Sequence, residues 1–90
     1  MSKKTKEFRT RAQAAFRALL TKREIGYTQI KGCSLAGCYR LYNGEGAMTA
    51  KKIAKIAAFF GEDGKALLEA WLVDKAAEVG VKWKFTIVVE

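Results

Sequence analysis

Residues 49–61, TAKKIAKIAAFFG, set Ile53, Ile56, Ala57 and Phe60 three and four positions apart and end on a glycine. That spacing puts all four on one face of an α-helix, and such a stripe must be covered by another element. Thr49 is a good N-cap residue and Gly61 a good left-handed stop. The chain has no proline, so its helix boundaries must be written in glycines and capping residues.

The same pattern divides the rest of the chain. A first helix carries Phe8, Ala12, Ala15, Phe16, Leu19 and Leu20 on one face, with Lys and Arg opposite. A shorter second helix is predicted over 21–32, offering Ile25, Tyr27, Thr28 and Ile30 for burial, although Gly26 weakens it. A third runs from Ser34, an N-cap type, to Asn43-Gly44. The fifth, about 64–79, buries Leu67, Leu68, Trp71, Leu72, Ala76 and Val79 and stops at Gly80. Ninety residues support one modest core. The expectation is therefore a mainly α, five-helix domain over 8–80, preceded by a basic flexible arm over 1–7.

After Gly80 the period changes. Val81, Trp83, Phe85, Ile87 and Val89 alternate with Lys82, Lys84 and Thr86, a strand pattern over 81–90 with no obvious partner in the chain. A lone strand leaves its backbone unpaired. Antiparallel pairing with a second copy through Trp83, Phe85, Ile87 and Val89 answers that need; docking as an extended segment on its own domain is the alternative.

The net charge of +8 is unevenly spread. Residues 1–23 carry eight Lys/Arg against one acid, residues 24–60 five against two, and residues 61–90 four against six. A basic front half and a mildly acidic end suggest one face that meets a polyanion, or else a solvated charged surface. Charge alone does not separate DNA, RNA and anionic lipid. No apolar run approaches the roughly 20 residues of a membrane span, and no apolar signal core follows MSKKTKEFRTRAQ. A cytoplasmic chain is expected, with free thiols, associated with the nucleoid when it is bound to DNA.

Chemistry for catalysis is thin. There is no histidine, and Cys33 and Cys38 stand alone at a C-x4-C spacing without the further ligands a zinc site needs. They suit core packing, and on one helix their side chains would diverge. The glycines at 37, 44 and 46 make no phosphate-loop fingerprint. The expectation is a binding protein with no enzyme activity, no metal and no cofactor. RNA is disfavoured, since the sequence shows no exposed aromatic platform for single strands.

Short helices with a basic front half suit a helix-turn-helix, whose second helix enters the major groove of DNA while the first crosses the phosphate backbone. Thr28, Gly32 and Cys38 offer the small or polar residue, the turn glycine and the buried residue of the second helix that this geometry asks for. YTQIKGCSLAGCYRLYNGEGAM followed by KKIAKIAAFFG resembles the lambda-repressor-like (xenobiotic-response-element, Cro/repressor-type) helix-turn-helix family, over roughly residues 8–72. Gly32-Cys33 resembles the family's turn, residues 34–37 the start of its recognition helix, and Ile53–Ala57 its fourth-helix core.

The chain departs from the family in two places. Glu24 stands where the family usually has a phosphate-binding glutamine, if the second helix starts early. Taking GYTQ, residues 26–29, as that helix start instead leaves the helix about five residues short, and the longer helix is preferred. Leu35 and Ala36 stand where polar base-reading residues are common.

The resemblance implies a homodimeric, sequence-specific double-stranded DNA-binding regulator, a repressor of phage or bacterial type. Base contacts would fall to Ser34, Leu35, Ala36, Tyr39 and Arg40, with Leu35 against a thymine methyl and Arg40 as a guanine fork. Cys38 and Leu41 face inward. Lys31, Asn43, Lys51 and Lys52, with Lys3, Lys4 and Lys6 of the arm, would hold phosphates. Capping is the other role open to Asn43, and structural packing to Tyr39. The competing function is a protein-interaction module on the same fold, of anti-repressor or antitoxin type, with Leu35, Ala36, Gly37 and the apolar tail as its interface.

Overall fold

The computed structural model describes residues 8–44, 48–82 and 86. They form four α-helices, α1 (Arg11–Arg23), α2 (Leu35–Tyr42), α3 (Ala50–Phe59) and α4 (Gly64–Glu78), with 3-10 turns at Tyr27–Gln29 and Gly61–Asp63. The architecture is mainly α. α1 packs on α4 and α2, and α3 packs on α4. Phe16, Cys38, Ile53, Ile56, Phe60 and Leu67 meet in the fully buried centre. The rings of Phe16 and Phe60 join edge to face at 6.3 Å.

α3 matches its sequence pattern closely. Thr49 caps it by accepting the Lys52 N–H, Ile53, Ile56, Ala57 and Phe60 are buried, and Gly61 turns out of it at φ +64°.

Two corrections concern α1. It starts at Arg11 rather than Phe8, which lies exposed ahead of the Thr10 cap. It also continues through Thr21, where a new helix was expected to begin. Contacts distant in sequence draw it on: Arg23 donates to the Phe60 carbonyl at 2.9 Å, and Lys22 and Arg23 both pair with Asp63. Its N-terminus is held from α4, where the Asp74 carboxylate accepts the Arg11 and Ala12 N–H groups at 3.1 and 2.9 Å. An acid at a helix N-terminus satisfies open donors and the dipole together.

The expected second helix over 21–32 is absent, so four α-helices stand where five were predicted. Glu24 at φ 55° ends α1, with its N–H and that of Ile25 returning to the Thr21 and Leu20 carbonyls. That is a Schellman stop built without glycine. Only nine residues then separate Glu24 from the Ser34 cap of α2, and Gly26 and Gly32 lie among them. One 3-10 turn fits there. It begins at Gly26, whose N–H donates to Gln29 Oε1 at 2.8 Å, so GYTQ does open a helical turn and Glu24 does not. Thr28 is exposed on that turn, whereas Ile30 is buried.

α4 is less buried than its pattern suggested. Leu67 is in the core; Leu68, Trp71, Leu72 and Ala76 are half-buried, and Val79 is 76% exposed. No strand occurs among the described residues. Trp83, Phe85, Ile87 and Val89, on which the strand and dimer expectations rest, lie outside the described residues, as do Lys3, Lys4 and Lys6.

Candidate nucleic-acid interface

α2 presents two faces. Cys38 and Leu41 turn into the core, while Leu35, Ala36, Tyr39 and Arg40 lie exposed, as the sequence spacing predicted; Gly37, expected at the surface in the protein-interaction reading, is buried instead. Ser34 is also exposed, but its Oγ accepts the Gly37 N–H at 3.0 Å and so caps the helix. Asn43 has a capping role as well: its Nδ2 donates to the Tyr39 carbonyl at 3.1 Å.

The far end of α2 is anchored to α1. The Tyr42 carbonyl accepts both Gln13 Nε2 at 3.1 Å and Arg17 Nε at 2.9 Å. Gln13 is buried with its polar groups used, because Oε1 accepts the Arg9 N–H at 2.6 Å. Gly44, at φ +74°, closes against Gln13 where a Cβ would collide. Sequence inspection missed Gln13 and Arg17. A glutamine and an arginine four apart on a helix look like any solvated pair until α2 lies across them.

Lys31 lies in the turn that precedes α2, and Lys51, Lys52 and Lys55 lie on α3, all exposed. Lys55 was not singled out from sequence, although its 3- and 4-residue spacing from Lys52 and Lys51 was the available signal. Lys52 and Lys55 line, with Gly32, Cys33, Ser34 and Gly37, a hollow of about 130 Å³ at the α2 N-terminus.

Arg11, Lys22, Arg23, Lys65 and Lys75 each pair with an acid. Lys31, Arg40, Lys51, Lys52 and Lys55 enter no ion pair among the described residues. Arg9, Arg17 and Lys82 likewise enter no ion pair among the described residues, so the cations without an acid partner include Arg40 of α2 and the three lysines of α3 but are not confined to them.

The cysteines are arranged differently from the sequence expectation. Cys33 precedes the helix instead of sharing it, so the divergence argument does not apply, and its thiol meets that of Cys38. Both are free. Burial, with Cys33 as the lesser cause, pushes the Cys38 thiol up to about 11, and burial likewise raises Cys33 against the pull of Lys55.

The structure also assembles an aromatic group. Tyr27 packs on Tyr42 at 5.0 Å and on Tyr39 at 5.9 Å, and the Arg17 guanidinium lies 4.1 Å from the Tyr42 ring centre. Tyr39 is 50% exposed and Leu35 59%. Tyr39 and Tyr42 lie one turn apart on α2 and Tyr27 joins them from the 3-10 turn before it; of the three rings only Tyr39 is exposed.

No helix among the described residues is long and apolar enough to cross a membrane. Comparison of the chain with protein-family models, with curated proteins and with solved structures finds no match.

Proposed function

We propose that the chain is a sequence-specific duplex-DNA-binding regulator of lambda-repressor-like type, with α2 as its recognition helix and its second helix reduced to the Tyr27–Gln29 turn. The observation that carries this is the outward face of α2, with Arg40 on it and Lys31, Lys52 and Lys55 at its N-terminal end, none with an acid partner among the described residues. A major groove about 12 Å wide admits one helix, with phosphates on either side. Arg40 and Tyr39 would then meet base edges, with Leu35 and Ala36 against thymine methyls, while Lys31, Lys51, Lys52 and Lys55 hold the backbone. A homodimer paired through Trp83, Phe85, Ile87 and Val89 would present two such helices about 34 Å apart.

The test is selection from a randomised duplex pool by mobility shift, followed by Arg40→Ala on the selected site. Specific binding should fall far more than binding to random duplex. Equal losses would make Arg40 a phosphate contact.

A second reading, a protein-interaction module on the same fold, is favoured by one observation. Leu35 and Tyr39, one turn apart on α2, both expose large hydrophobic side chains beside Arg40, and aromatic and arginine side chains serve as protein hot spots. An unenriched pool with purely salt-sensitive binding would support it.

A further inference from the structure

Shortening the link between α1 and α2 to one 3-10 turn leaves a side of α1 uncovered, and a cleft of about 590 Å³ lies there. That volume falls within the roughly 300–1,000 Å³ of small-molecule sites. Its walls combine the Tyr27 and Tyr42 rings and Leu20 with two charged groups, Arg17 of α1 and Glu24 just past its end.

Arg17 is held in place before any ligand arrives. Its Nε donates to the Tyr42 carbonyl, and its guanidinium lies 4.1 Å from the Tyr42 ring centre and 5.9 Å from that of Phe8. Its two terminal nitrogens take no partner among the described residues. Fixing the fork in advance lowers the entropy lost when an acid group binds it. Glu24 enters no ion pair among the described residues and lines the same cleft from the left-handed position that ends α1. The cleft thus brings a cation, an anion and two aromatic rings to one wall, with the cation lying over one of the rings.

We infer that this cleft binds a planar aromatic acid of one or two rings that carries a hydrogen-bond donor at the end away from its acid. The acid group takes the free nitrogens of Arg17, the ring lies against Tyr27 and Tyr42, and the donor reaches Glu24. The site stands independently of what α2 recognises. The same chemistry has two sources, a free aromatic carboxylate or a nucleotide whose phosphate replaces the carboxylate.

The test is a titration of the full ¹⁵N-labelled chain followed by NMR. The probes are indole-3-acetate, indole (no acid), 1-methylindole-3-acetate (no ring N–H) and adenosine 5′-monophosphate. The expected result is saturable shifts at the Arg17 side-chain Nε–H and the Gly26 and Tyr27 amides. Indole should bind at least fivefold more weakly than indole-3-acetate, and whichever acid binds more tightly identifies the source. Glu24→Gln, at an exposed position, should weaken indole-3-acetate at least threefold and leave the 1-methyl compound unchanged. Arg17→Gln should remove the preference for acids. Equal affinity for indole and indole-3-acetate, or shifts that neither saturate nor centre on these groups, would overturn the proposal.

Discussion

Arg17 and Tyr42 are joined twice, by a 2.9 Å hydrogen bond from Nε to the carbonyl and by the guanidinium lying 4.1 Å from the ring centre. The pair ties the end of α2 to the middle of α1. Arg17→Met keeps most of the apolar stem and removes both contacts, while Gln13 continues to satisfy the carbonyl. A loss of about 1–2 kcal/mol in urea unfolding is expected, the sum of one charged hydrogen bond and one partly buried cation–π contact.

Glu24 ends α1 in the left-handed region at φ 55°, where any residue with a Cβ is strained by about 1 kcal/mol. Glu24→Gly should therefore raise stability by up to roughly that amount, partly offset by the greater freedom of an unfolded glycine. A lower melting temperature in this variant would show that the Glu24 side chain makes a compensating contribution.

At Gly64 close approach matters, not backbone freedom. A Cβ there would press into the carbonyl of Ala57, where α3 and α4 meet. Backbone cannot yield as a flexible side chain does, so Gly64→Ala should lose about 3 kcal/mol or more, measurable by chemical denaturation. Gly61→Ala meets no such neighbour and should lose only the smaller left-handed penalty.

Asp63 responds to acid. Hydrogen bonds from Lys22 and Arg23, with their charges second, hold its carboxyl below the ordinary 3.8. A depressed folded value means the stabilisation is complete above the ordinary value and disappears as the pH falls through the folded one. Melting temperatures of Asp63→Asn and the parent should thus differ at pH 6 and converge as the pH falls below the ordinary carboxylate range. A constant difference across that range would assign the effect to packing.

The two thiols should differ in reactivity. Cys33 is partly exposed, while Cys38 is buried with its thiol pushed up to about 11. Dithionitrobenzoate at pH 8 should label Cys33 first and reach Cys38 only at the rate of local opening. Equal rates would mean that α2 separates from the core more readily than its packing implies.

Lysines beside α2 provide the simplest electrostatic check. Lys31→Ala or Lys52→Ala should weaken binding to all duplexes alike and reduce the slope of log affinity against log salt by about one each. A loss confined to one sequence would instead assign that lysine to a base.

The stretches that carry their own instructions are legible in the linear chain. α3 is bounded by Thr49 and Gly61 and striped by Ile53, Ile56 and Phe60, and the outward face of α2 follows from Ser34, Cys38 and Leu41 by helical spacing alone. Capping and periodicity act within a few residues, so they survive in a linear reading. The segment from Thr21 to Cys33 was misread because its conformation is decided from elsewhere. Asp63 and the Phe60 carbonyl extend α1, and a left-handed Glu24 stops it.

The same holds for what surrounds α2. Asp74 reaches α1 across 62 and 63 residues, Gln13 and Arg17 grip Tyr42, and three tyrosines converge. Which lysines keep their charge open is likewise set by where the acids fold to. The sequence by itself determined the helices whose ends and faces are local; only the tertiary structure decided the link before α2, the cleft it exposes and the charge around it, because those depend on partners that meet only when the chain closes.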